Sequence, residues 1–196
     1  RVTPLVDGDR VYTFGGEGNL ICRATEDGSK KWAHDFKELF NAKTQTWGFA
    51  ASPLVHGDLL ICLASGDGTT AVAFNKVSGK EIWRSLSAKQ PGYCPPCIVK
   101  HKGRDLLLIW HPEAINALDP LNGKIYWRVP WKVRYGLTIT APQMIDDEHL
   151  FLSSFYNGST LLKLKEDEST PDIVYRTERA SERKTTHLHG IMNTPV

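Results

Sequence analysis

The sequence predicts an all-β protein, a β-propeller of four-stranded antiparallel blades, from three observations. First, the stretch Ala117 to Trp127, Ala-Leu-Asp-Pro-Leu-Asn-Gly-Lys-Ile-Tyr-Trp, has two degraded copies upstream, Cys22 to Trp32 and Ala73 to Trp83. Their common form is a small residue, a polar residue two places on (Ala24 replaces it in the first copy), then Gly28, Gly79 or Gly123, and four residues later Trp32, Trp83 or Trp127. Second, a proline opens a strand pattern at Pro4, Pro53, Pro96, Pro142 and Pro195, at steps of 43 to 53 residues. Recurrence at this period marks a repeat architecture, in which each unit buries its apolar face by stacking on the next. Third, no segment sustains a 3.6-residue apolar period, which excludes helical repeats.

Each unit reads as two hairpins. Pro53 to Leu63 is apolar on both sides of the polar break His56-Gly57-Asp58, and Pro4, Pro96 and Pro142 open equivalents. These supply strands A and B. The second hairpin turns at Asp119-Pro120-Leu121-Asn122-Gly123, where Pro presets φ and Asn-Gly supplies positive φ. It carries Trp on strand D. The expected organisation is a single partial propeller domain, residues 1–196, with blades at about 3–36, 51–86, 95–131 and 140–177 and the start of a fifth at 187–196. The fourth blade is the least regular: Glu166 to Asp172 replaces the Gly turn and Tyr175 stands where the others have Trp. Both ends of the sequence look cut from a longer chain.

The connections locate the expected site. The A to B turns are short, whereas the D to A segments, 33–52, 84–95, 128–141 and 176–194, are long. D to A and B to C connections emerge on one face of a propeller, and loops that a rigid scaffold presents together carry function. Candidate ligand-binding residues there are Trp47, Lys89, Tyr93, His111, Glu113, Arg134, Tyr135, Tyr156, Asn157 and His189. His111-Pro-Glu113 and His187-Leu-His189 place pairs at i, i+2, the spacing of two metal ligands or of an acid and a base. The competing reading has Glu113 bonding backbone amides of its turn and His111 packing on a neighbouring blade. Trp32, Trp83 and Trp127 read as interblade packing, each N–H meeting a backbone acceptor. Alanine at Tyr93, His111, Glu113, Tyr135 or Asn157 is expected to weaken binding with little loss of stability.

The pattern Ala-x-Asp-x-x-x-Gly-Lys-x-x-Trp, complete at Ala117 to Trp127, resembles the pyrroloquinoline-quinone (PQQ) type repeat of quinoprotein dehydrogenases and of BamB-like propellers that assist outer-membrane protein assembly. The resemblance covers residues 3–177 and implies a share of a closed ring of seven or eight blades. It implies a bacterial, periplasmic or secreted protein, with the remaining blades of a parent chain as partners. Quinoproteins use a calcium set of Glu, Asn and Asp, for which Asp67, Glu113 and Asn157 are loose matches, and a disulfide between adjacent cysteines. No Cys-Cys dipeptide occurs here.

Composition narrows the classes. The 196 residues suffice for a sizeable core, and the formal net charge of +2, from 24 basic and 22 acidic side chains, comes without a basic stripe interleaved with aromatics. Nucleic acid is not an expected partner. No apolar run reaches membrane-spanning length. Cys94-Pro-Pro-Cys97 has redox or half-zinc-site spacing but opens a strand, and Cys22 and Cys62 lie too far apart to complete a zinc ribbon. Buried, unreactive thiols are expected.

The function expected is a non-catalytic binding or scaffold propeller of BamB-like type, holding a protein segment or a glycan on the D–A/B–C face, with no cofactor. The alternatives are a PQQ- and calcium-dependent alcohol dehydrogenase, and a metal-dependent hydrolase or lyase on His111, Glu113, His187 and His189.

Overall fold

The computed structural model describes residues 2–167, 169–177, Leu188 and Gly190. Among these described residues, sixteen strands form four separate four-stranded sheets, each a meander in chain order. The first contains β1 (Leu5–Asp7), β2 (Arg10–Phe14), β3 (Asn19–Ala24) and β4 (Lys30–Asp35); the second β5 (Leu54–His56), β6 (Leu59–Leu63), β7 (Ala71–Asn75) and β8 (Glu81–Ser85). The third contains β9 (Cys97–His101), β10 (Arg104–His111), β11 (Ala114–Leu118) and β12 (Ile125–Pro130); the fourth β13 (Gln143–Met144), β14 (His149–Ser154), β15 (Gly158–Lys163) and β16 (Asp172–Arg176). All pairings are antiparallel, so the predicted blades are present.

The repeat has a structural signature. Trp32, Trp83 and Trp127 face Cys22, Ala73 and Ala117 across the third and fourth strands, and the register shifts one residue later in each blade. Tyr175 faces Leu161 with the same shift, so the fourth blade keeps the geometry without the glycine turn. A small residue opposite Trp gives the indole room, and the bulge that follows twists the edge strand. Asn75 performs the turn role of the absent Asp, its Oδ1 accepting from the backbone N–H of Val77 at 3.1 Å and of Ser78 at 2.9 Å.

The chain divides into two compact units, residues 1–91 with 121–123, and residues 92–120 with 124–196. In the first, Tyr12, Phe14, Leu20, Phe36, Phe49, Leu60, Val72 and Phe74 form the core. Sequence periodicity gives no sign of one element here: the first D to A connection contains a helix, α1 (Phe36–Phe40), whose N-cap Asp35 accepts from Lys37 N–H at 2.8 Å. Five residues leave no room for a periodic pattern, and Phe36 and Phe40 serve the core. In the second unit Leu106, Leu108, Trp110, Ile115, Trp127, Trp131, Leu150, Leu152 and Leu162 form the core.

Candidate functional site

The two units hold different parts of the candidate set. In the first, Trp47 (61% exposed) and Lys89 lie on the surface. Gly48 follows Trp47 at φ +79, and a Cβ there would approach Gly16 O to 2.9 Å, which fixes the turn that presents the indole.

In the second unit the candidates separate into a buried set and an exposed set. Tyr93 (9% exposed) and His111 (1% exposed) belong to the interior. The Tyr93 N–H donates to Thr138 O at 3.0 Å. Beside it, Gly92 packs so closely that a Cβ would meet Thr138 Oγ1 at 2.1 Å. His111 ends β10 and Glu113 lies in the two-residue turn to β11, with His111 paired to Ala114. The His111 Nδ1 accepts from the Glu113 backbone N–H at 3.2 Å. The imidazole thus takes a backbone amide of the turn, a role the packing reading gave to the Glu113 carboxylate. Burial pulls the His111 pKa down to about 4, so the ring is neutral. Tyr93 and His111 are thus placed in the interior, whereas Tyr135 lies on the surface.

The exposed set comes together. The connection after β12 enters a short 3-10 turn, Arg134–Gly136, in which Tyr135 takes the left-handed conformation, φ 58°, and is 59% exposed. A bulky residue there costs about 1–2 kcal/mol unless its surroundings impose it. The imposed contacts come from the β14 to β15 turn. Asn157 Oδ1 accepts from the Arg134 N–H at 2.8 Å, and its Nδ2 donates to Lys132 O at 3.2 Å. The Tyr156 ring stands edge-on to Tyr135 with centroids 5.0 Å apart, and Phe155 packs on Tyr156 at 4.7 Å. The Arg134 guanidinium lies 4.8 Å from the Tyr135 centroid and 5.8 Å from that of Tyr156. One polar side chain, Asn157, thus pins the loop that displays Arg134 and Tyr135 beside its own neighbour Tyr156.

Two further residues of this unit, Trp131 on the same connection as Arg134 and Arg176 at the end of β16, lie together. Trp131 stacks on Trp110 at 5.3 Å and 11°, and the Arg176 guanidinium lies 5.5 Å from the Trp131 centroid. Arg176 Nη1 donates to Pro130 O at 2.9 Å. Only its position at the end of strand D, matching the residue after Trp in the other blades, hints at this in the sequence.

No group of three or more His, Cys, Asp and Glu side chains able to hold a metal occurs among the described residues. His187 and His189 lie outside the described residues. Of the loose calcium matches, Asp67 belongs to the first unit, Glu113 and Asn157 to the second, and the Asn157 amide is committed at both ends. The four cysteines are free thiols; burial pushes all four up in pKa, and Cys94 donates to Pro95 O at 3.4 Å. No helix among the described residues is long and apolar enough to cross a membrane.

Comparison with known proteins matches residues 1–159 to the family described as outer membrane protein assembly factor BamB. No curated protein sequence matches the chain. Among solved structures, BamB from Moraxella catarrhalis is similar over 100% of this chain and 53% of its own, at 14% identity and a TM-score of 0.63. The quinohemoprotein alcohol dehydrogenase of Comamonas testosteroni is similar over 91% of this chain and 35% of its own, with 14% identity and a TM-score of 0.55. The enzyme ADHIIG of Pseudomonas putida gives 91%, 34%, 14% and 0.54. At these identities the likeness is one of fold, and the chain spans about half the length of that BamB.

Proposed function

We propose, from the premise that this chain belongs to the family described as outer membrane protein assembly factor BamB, that it is a non-catalytic binding or scaffold propeller that holds a protein segment on its D–A/B–C loop face. The observation that carries the reading is Tyr135: an exposed aromatic held in a strained left-handed conformation, between Arg134 and Tyr156, by a side chain from another blade. Tyr and Arg dominate the energetics of protein recognition because they combine large contact area with directional polar ends. Pre-organisation of the loop removes part of the ordering cost of association.

The family premise supports an extracytoplasmic location, with outer-membrane proteins in assembly as the class of partner. Further blades of a longer chain are proposed as structural partners. The exposed Ile145, Ile173, Val174 and Tyr175 of the fourth blade support that reading, as does the coverage of about half of the BamB chain. For the quinoprotein alternative, the loose calcium matches Glu113 and Asn157 lie in the second unit and Asp67 in the first, and Asn157 already holds the loop through both ends of its amide. The proposed protein works without a cofactor.

The test is a titration of the parent protein with an extended peptide from an outer-membrane β-barrel strand, beside one with PQQ plus calcium, both read by Trp fluorescence. Saturable peptide binding that drops about tenfold in Tyr135→Ala and Tyr156→Ala is expected. Quenching by PQQ that requires calcium, with no peptide binding, would replace this reading by the quinoprotein one.

A further inference from the structure

We propose that Arg176 is the anchor for a carboxylate on the protein segment bound at this face, gripped at two points by the Nε and Nη2 hydrogens of its guanidinium. The proposal rests on the binding-propeller reading and adds the chemistry of the partner. Arg176 ends β16 and is already oriented: Nη1 donates to Pro130 O at 2.9 Å and the group lies over Trp131. Its Nε and Nη2 are buried and have no hydrogen-bond partner among the described residues. These two nitrogens form one edge of the guanidinium, the edge that matches the two oxygens of a carboxylate. The chain shows this grip elsewhere: Arg84 Nε and Nη2 lie 2.7 and 2.8 Å from Oε1 and Oε2 of Glu81.

The surroundings favour an acid. The segment Arg128 to Arg134, Arg-Val-Pro-Trp-Lys-Val-Arg, carries three cations and no carboxylate, and Arg176 touches its middle at Pro130 and Trp131. Burial also lowers the Arg176 pKa, because it takes water from the cation. An incoming carboxylate relieves that penalty. Arg176 as a whole is only partly buried, so part of its side chain is open to an incoming segment. A nucleic acid fits less well, because a base needs an open ring face for stacking. Arg134 lies over Tyr135, and Tyr156 meets Tyr135 edge-on at 74°.

The experiment uses the full chain with three probes: a blocked peptide of alternating valine and glutamate, its valine–glutamine counterpart, and an eight-thymidine oligonucleotide. The readouts are Trp fluorescence and the ¹⁵N NMR resonance of the Arg176 Nε–H. The glutamate peptide should bind about tenfold more tightly than the glutamine peptide and move the Nε–H resonance; Arg176→Lys, which keeps the charge and loses the fork, should abolish most of that difference. Equal binding of the two peptides to the wild type, with Tyr135→Ala still weakening both, would overturn the carboxylate anchor and leave the binding face standing. Failure of both peptides to bind would remove the face and the anchor together. Tighter binding by the oligonucleotide, with the same resonance moving, would make this a nucleic-acid surface instead.

Discussion

Trp32 lies flat against Gly79 of the next blade: a Cβ at Gly79 would come within 2.7 Å of Trp32 Cδ2. The indole N–H donates to Lys76 O at 3.3 Å, the same carbonyl that takes the Tyr12 hydroxyl at 3.0 Å. Trp83 and Gly123 repeat the relationship within the first compact unit, with a Cβ at Gly123 placed 2.6 Å from Trp83 Cε3. The glycine and the tryptophan of the repeat are therefore partners across a blade boundary rather than within one unit. The glycine serves two demands at once, a positive φ of 73° in the turn and a flat seat for the preceding blade's indole.

Gly79→Ala and Gly123→Ala should accordingly cost more than a turn glycine normally does. The left-handed conformation contributes about 1–2 kcal/mol and the displaced indole about 1–3 kcal/mol more. Gly28, in the first blade, has a similar φ of 71°, but a Cβ added there would have no described atom within 4 Å, so Gly28→Ala should lose the conformational part alone. Urea unfolding of the three variants decides the matter, and equal losses at all three positions would refute the seat.

Trp83→Ala and Trp127→Ala should each cost about 3–5 kcal/mol, because both rings are buried and leave cavities. Trp32 is only partly buried, so Trp32→Ala should cost less than either. Wild-type thermal stability in the Trp83 or Trp127 variant would place that ring outside the core.

The blades were legible because their signals are local: Pro before strand A, alternation along the strands, Gly and Trp at fixed steps. Even the fourth blade, without its glycine, has Tyr175 on its last strand where the others have Trp, and the structure pairs it with Leu161. The site was legible only in part. Arg134 and Tyr135 were singled out from a long D to A connection and Tyr156 and Asn157 from a short B to C turn, and the structure brings these four side chains together. Tyr93 and His111 carry the same chemistry but turn inward, and nothing in a single sequence distinguishes a loop tyrosine that points out from one that closes the core. Arg176 was missed for the converse reason: its significance lies in Trp131 and Pro130, 45 and 46 residues away, which only the fold brings near.

His111 should make stability fall in mild acid. Its pKa is about 4 in the folded protein, against an ordinary value of 6.5, because burial opposes the charge. The unfolded chain therefore binds the proton first, and stability that is complete above about pH 6.5 declines as pH drops towards 4, by about 3 kcal/mol in all. His111→Asn, which keeps an acceptor for the Glu113 N–H but does not titrate, should lack this component in denaturant midpoints measured from pH 7.5 to 4. An unchanged slope in that variant would show that other groups carry the acid sensitivity.

Tyr135 should trade stability against binding. Asparagine reaches the left-handed region more readily than a bulky residue does, so Tyr135→Asn relieves backbone strain of about 1 kcal/mol. Against that stands the loss of ring contacts with Tyr156 and Arg134, each about 0.5–1 kcal/mol at an exposed site. The sum is a loss of no more than about 1 kcal/mol, and the melting temperature of Tyr135→Asn should fall by no more than about 4 °C. Peptide binding, which depends on the exposed ring rather than on the backbone, should still fall about tenfold. A variant that melts well below wild type yet binds normally would mean that Tyr135 is held for the fold's sake, and the left-handed turn would then be a structural device with no part in recognition.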